Sequence, residues 1–280
     1  MADVTEPRYT APAMVVAADA RGLPASLRQI RDWVQLGLLD RPMKTGLGRG
    51  LGTRATFPEG QLQLFVRLLE ARANGVAISA LARYPVWIWL RWGDAYVPLP
   101  QVRRVLRTWA RAVMDPSLAA AKAGARKAGA SVAAPGTKPG VVRRFERTLV
   151  DQQWPGGFER AGLFEVARET IGNSVQRGPK GAQLNAEIYL DQVEARQIAI
   201  SRLEQTTDAE FELARDRYRI EARNYRNNQP ALARDPEIGR IFEVRTDSEE
   251  MNAACIDLVT ILGFEWLSKN SAKRRPPTVR

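Results

Sequence analysis

The sequence predicts a mainly α-helical protein in two parts: an N-terminal part with one small β-hairpin, and a separate all-α C-terminal domain. Three observations predict it. Apolar residues recur at helical spacing from about residue 13 to 114 and again from 141 to 267. One stretch, 38–57, interrupts that spacing with four alternating glycines between two extended pieces. Finally, Pro116 to Gly140 holds only Leu118 and Val132 as large apolar side chains, so it has little to bury.

Met1 to Pro12 is polar and proline-bearing and reads as a loose tail. Ala13 to Ala20 favours a short helix, and Arg21-Gly22-Leu23-Pro24-Ala25 turns the chain into a second one. That second helix is the best defined. Leu27, Ile30, Trp33, Val34 and Leu36 form one apolar face, while Arg28, Gln29, Arg31 and Asp32 lie largely outside it. Ser26 has the hydroxyl that accepts from an orphan N–H two or three residues on. Gly37 supplies the left-handed stop.

Leu38 to Pro42 and Arg54 to Phe57 read as the extended sides of a hairpin whose loop runs 43–53. Gly46, Gly48, Gly50 and Gly52 let that loop lie close to a polyanion, and Lys44, Arg49 and Arg54 give it charge. A helix pair followed by a basic hairpin is the layout of a winged helix-turn-helix, in which the second helix reads the major groove.

On these residues the stretch resembles the DNA-binding domain of the mercury-resistance-regulator (MerR) family. That pattern runs Ser/Thr, Arg, an aromatic, Gly-Leu-Leu, Pro, then a wing with Arg near an aromatic. The matching residues are Ser26, Arg28, Arg31, Trp33, Gly37, Leu38, Leu39, Pro42, Arg54 and Phe57. The family's paired tyrosines are replaced by Asp32 and Trp33, the wing is longer and richer in glycine, and no coiled coil follows directly. The resemblance covers residues 12–90, extending at most to 113. It implies a regulator that binds as a homodimer and bends or untwists promoter DNA, with the C-terminal helices supplying dimerisation and an effector pocket.

A third helix begins at Pro58, where a missing N–H is harmless, with Glu59 at its positive end and Asn74-Gly75 closing it. A fourth starts at Ile78 or Ser79 and is kinked or restarted by Pro85. Trp87, Trp89 and Trp92 follow and are read as core, because each ring buries a large apolar area. Gln101 to Met114 makes a fifth helix with Val102, Leu106, Trp109, Ala110 and Val113 inward. Its Arg103, Arg104, Arg107 and Arg111 lie on other faces. The expected organisation is thus a DNA-binding domain over 1–115, a flexible basic linker over 116–140 in which 117–129 forms a transient helix, and an all-helical domain over 141–280.

In that last domain, short helices are expected at Val141–Val150 and from Gly162 to Gly172, with a longer one carrying Leu184 to Leu203. Thr207 with Glu210 has capping-box spacing and opens the next, which Asn227-Asn228-Gln229-Pro230 ends. A short helix follows Asp235-Pro236. A second capping box, Thr246 with Glu249, precedes the most apolar helix, Met251 to Leu267, whose burial on several sides suits a central core helix or a homodimer interface. Lys269 to Arg280 is a basic tail.

Composition narrows the function. The net charge is +11, and it is uneven: residues 116–149 carry 7 cations against 1 anion, whereas 150–280 carry 19 against 21. Positive charge therefore concentrates on the N-terminal part and the linker, as phosphate attraction requires. The chain has no histidine, which removes imidazole zinc sites, serine–histidine triads and the commonest general base. Cys255 stands alone, so no intramolecular disulfide forms and a reducing cytoplasm fits. No signal peptide is recognised, and no apolar run is expected to reach the ~18 residues of a membrane span. The glycine loop lacks a preceding strand and a Gly-Lys-Ser/Thr ending, so it is not read as a nucleotide site.

The expected function is a sequence-specific, double-stranded DNA-binding transcriptional regulator, homodimeric, cytoplasmic, not an enzyme, and needing no cofactor or metal. Arg28 and Gln29 are the candidates for base edges, since Arg suits guanine and Gln suits adenine. Ser26, Arg31, Lys44, Arg49 and Arg54 are the candidates for phosphates or the neighbouring minor groove. RNA polymerase or another protein is a further candidate partner; a membrane is not. Two alternatives remain at this point: an excisionase-, partition- or replication-type accessory factor of a phage or plasmid, and a protein-interaction module tethered to DNA.

Overall fold

The computed structural model describes residues 7–46, 52–114, 117–153, 159–172, 178, 180–234 and 246–270. The protein is mainly helical, with a small three-stranded antiparallel sheet near its N-terminus. It divides into two compact units, Met1–Val113 with Asp247–Cys255, and Met114–Thr246 with Ile256–Arg280.

The first unit opens with strand β1 (Arg8–Tyr9) and helices α1 (Ala11–Asp19) and α2 (Leu27–Leu36). Arg8 and Tyr9 pair antiparallel with Pro58 and Phe57, so this part of the expected loose tail is tied down. The Tyr9 phenol is held above its ordinary pKa, first by its hydrogen bond to Glu59. Strands β2 (Met43–Gly46) and β3 (Thr53–Pro58) make the hairpin, and the sheet order is β1-β3-β2. The first side of the hairpin starts later than expected. Leu38 and Leu39 are fully buried behind α2, with the Leu39 N–H bonded to the Trp33 carbonyl, and the strand begins only after Pro42.

Helices α3 (Glu59–Ala73), α4 (Ile78–Leu81), α5 (Arg83–Trp92) and α6 (Leu99–Val113) complete the unit's main body. The chain breaks at Ala82 rather than at Pro85, which sits in the first turn of α5 where no backbone donor is needed. Trp33 packs edge-on against Phe65, and Ile30, Met14, Leu81 and Leu106 are also buried in this unit. The tryptophan cluster is only partly core. Trp89 is fully buried and donates to Asp94, but Trp92 is 50% exposed and stands edge-on to Trp87 and to the exposed Tyr96. Val113, expected inward, is exposed.

In the second unit, the segment expected as flexible linker contains helix α7 (Leu118–Val132), capped by Ser117. It packs on α8 (Pro139–Gln153) through small residues rather than large ones. Ala125 and Gly129 are buried, and a methyl group on Gly129 would lie 3.2 Å from Val142. Close approach of two backbones replaces the apolar bulk whose absence suggested flexibility. Helices α9 (Arg160–Ile171) and α10 (Gly181–Arg202) join them around Phe145, Leu149, Leu163, Ile171 and Leu190.

The capping box of α11 (Asp208–Leu232) is formed by Thr207 and Glu210. Pro230 does not end this helix but lies in its last turn, at the cost of its own bond to the carbonyl four residues earlier. The expected helix after Asp235 falls outside the described residues, as does the tail from 271. Helix α12 (Asp247–Asn270) is long and apolar enough by composition to cross a membrane from Glu249 to Asn270. Half of that window is buried in the fold; Leu258, Val259, Ile261 and Leu262 are core residues, and Gly263 lies so close to Ala195 that any side chain there would overlap its carbonyl.

Candidate nucleic-acid interface

Helix α2 is built as its sequence dictates. The Ser26 hydroxyl accepts from the Gln29 N–H at 3.1 Å, satisfying one orphan donor of the first turn. Gly37 closes the helix in the left-handed region at φ 77°. It has a second reason to be glycine: a methyl group there would lie 2.7 Å from Arg104 Cβ and still closer to the Val105 backbone.

Ile30 and Trp33 hold the inner face in the core. The opposite face is open. Ser26, Arg28 and Arg31 are exposed and Gln29 is half-buried. The Arg28 side chain is 85% exposed, and the nearest carboxylate, Asp32, is 3.8 Å away one turn along. An exposed pair at that distance contributes little and leaves the guanidinium available. These four residues therefore share the first turn and a half of one helix end.

A buried polar network sets the angle at which that end is presented. The Gln61 side-chain oxygen accepts from the Asp40 N–H at 2.8 Å, and its amide donates to the Gln101 side-chain oxygen at 2.9 Å and to the Tyr96 carbonyl at 3.3 Å. The Gln101 amide donates to the Leu38 carbonyl at 3.0 Å, and the Thr108 hydroxyl to the Leu36 carbonyl at 2.7 Å. Arg104 pairs with Asp40 at 2.8 Å, so this arginine is a fastening within the unit. Gln61 and Gln101 are 1% and 0% exposed, and every bond they make ends on the segment just after α2 or on its supports. The sequence reading missed both, since a glutamine in an amphipathic helix carries no mark of burial.

The hairpin splits the remaining candidates. Lys44 stands opposite Ala55, and Thr45 opposite Arg54. Because directly opposed residues share a face and neighbours alternate, Lys44 and Arg54 lie on opposite faces of the ribbon. Both are exposed. Arg8, which the sequence reading passed over in a strand of only two residues, joins the Arg54 face. It donates to the Thr56 hydroxyl at 3.0 Å and reaches the Met43 sulfur at 2.7 Å. Arg49 lies outside the described residues, with the rest of 47–51.

Chemically, this arrangement offers hydrogen-bond donors and positive charge on a helix end and on both sides of a ribbon. Among the described residues no group of three or more cysteine or carboxylate side chains is placed to hold a metal ion. No protein-family model matches the chain, and comparison with curated proteins and with solved structures finds no significant similarity.

Proposed function

We propose that the protein is a sequence-specific, double-stranded DNA-binding transcriptional regulator acting as a homodimer, with the first unit serving as a winged helix-turn-helix. The observation that carries this reading is the outward face of α2. Arg28 and Arg31 share the exposed outer face, with the half-buried Gln29 on its flank, on a capped helix end whose angle is set by buried hydrogen bonds. A helix that merely covered a core would need neither the open guanidinium groups nor so firm a mounting.

Arg28 and Gln29 read base edges, and Ser26 and Arg31 contact phosphates beside them. Lys44 and Arg54, on opposite faces of the ribbon, reach different rails of the duplex instead of gripping one together. Selection from a random duplex pool tests this. The wild-type chain should enrich one motif, arranged as an inverted repeat if two copies bind. Arg28→Ala should relax the preference at one position and weaken the selected site by about 10- to 100-fold. Arg54→Ala should weaken all sequences alike. A wild-type chain that enriches no motif at moderate salt overturns the proposal.

A further inference from the structure

We infer that the α7–α8 hairpin of the second unit is an additional, sequence-independent contact surface for the phosphate backbone of duplex DNA. The inference takes the identity of the polyanion from the reading above, but the surface itself is independent of α2 and of the hairpin wing.

Helix α7 carries Lys122, Arg126 and Lys127 and no carboxylate, and α8 adds Arg143, Arg144 and Arg147. Arg144 is used within the unit, paired with Glu169. The others are exposed, and none of Lys122, Arg126, Arg143 and Arg147 forms an ion pair among the described residues.

Helical spacing places these four together. Gly129 of α7 faces Val142 and Glu146 of α8, which fixes the seam between the helices. Lys122 and Arg126 are one turn apart on α7, on the shoulder beside the row that ends in Gly129. Arg143 and Arg147 are one turn apart on α8, on the shoulder beside Val142 and Glu146. The buried residues that face α9 lie on the other side of both helices. Two cationic stripes thus flank one seam on its outer side. Within each stripe the charges are about 6 Å apart along the axis, close to two steps of about 3.4 Å along one DNA strand.

The remaining surface argues for phosphate over other anionic partners. Ala119, Ala123, Gly124 and Ala130 are exposed, and a side chain on Gly124 would meet nothing within 4 Å. The outer face is therefore smooth and lets a backbone come close. Its one exposed large apolar side chain among the described residues of the two helices is Leu118 in the first turn of α7, too little for the apolar face that amphipathic helices sink into lipid, and it has no aromatic anchor of the kind on which protein interfaces depend.

The test uses the full-length chain with Lys122, Arg126, Arg143 and Arg147 all changed to glutamine, compared with wild type and with Arg28→Ala/Arg31→Ala. Circular dichroism establishes that each variant is folded. Affinity for a random-sequence 30-base-pair duplex is measured by fluorescence anisotropy across a salt series. The quadruple variant should lower the slope of log affinity against log salt by about 3 to 4, and should still enrich the wild-type motif. An unchanged slope overturns the inference, as does binding to phosphatidylserine vesicles or to single-stranded RNA without binding to duplex DNA. Should no variant or wild type enrich a motif while the quadruple variant still loses slope, the regulator reading fails and this surface stands.

Discussion

The two cationic surfaces are mounted by different proportions of directional bonding and apolar packing. Behind α2 the supports are directional: glutamine amides, carbonyl groups and a threonine hydroxyl, with Gly37 allowing α6 to approach within less than a side chain's width. Behind α7 the supports are chiefly Phe145, Leu149 and small residues that let the helices pack closely, and the directional bonds lie at the end of the hairpin, where the Ala134 N–H and the Thr137 hydroxyl donate to the Thr170 carbonyl at 2.9 and 3.2 Å. Apolar burial is non-directional, whereas a buried hydrogen bond loses its energy within tens of degrees. A surface meant to read base edges must be held in angle. One that tracks phosphates tolerates a shift. The difference in mounting therefore matches the difference in the tasks proposed for the two surfaces.

The largest expected effect falls on the apolar side of this comparison. Phe145→Ala removes a fully buried ring from the middle of the second unit's core and should cost about 3–5 kcal/mol. Denaturant unfolding followed by circular dichroism should show a markedly earlier transition. On the division of tasks proposed above, the motif enriched by folded protein should not change. A changed motif would mean that the second unit orients α2, and the contrast drawn here would be lost.

Gln101→Leu probes the other side at somewhat smaller cost. It leaves the Leu38 carbonyl and one Gln61 bond without their partner in a buried setting, a loss of about 1–3 kcal/mol per orphaned group. The added expectation is functional: sequence discrimination should fall more than affinity for random duplex. Equal losses on both would reduce the network to ordinary packing.

Much of this contrast was invisible in the sequence, for identifiable reasons. Helix α2 was legible because its evidence is local: an apolar face at helical spacing, a serine cap and a glycine stop lie within twelve residues. The support behind it was not, because Gln61 and Gln101 become buried only through partners 21 to 63 residues away. Strand β1 went unseen because two residues give no alternation to detect. Helix α7 was legible only as a transient helix over 117–129, because burial was sought in large side chains, while Ala125 and Gly129 bury themselves by having almost none. The opposition of Lys44 and Arg54 required the register of β2 on β3, which a glycine-rich loop of indefinite length does not specify.

The smallest expected effect separates the two mountings by pH. Glu210 of the second unit accepts from the Thr207 N–H at 2.8 Å and from the Lys269 ammonium at 2.9 Å, and both bonds are stronger to its charged form. Its carboxyl is held below the ordinary value of 4.5, first by the Thr207 backbone bond and then by Lys269. A carboxyl depressed in the folded state stabilises fully above its unfolded pKa and loses that contribution as pH falls through the folded one. The deficit of Glu210→Gln should therefore be constant above about pH 5.5 and shrink as pH falls below the ordinary carboxyl range towards the depressed folded value. Its size is modest, because solvent screens a group so near the surface. The glutamines of the first unit do not titrate, so the deficit of Gln101→Leu should be the same across that range. Urea midpoints of wild type and both variants between about pH 3 and 7 decide the matter: a flat Glu210→Gln deficit assigns the capping box to geometry alone, and a sloping Gln101→Leu deficit exposes a titrating partner in the network behind α2.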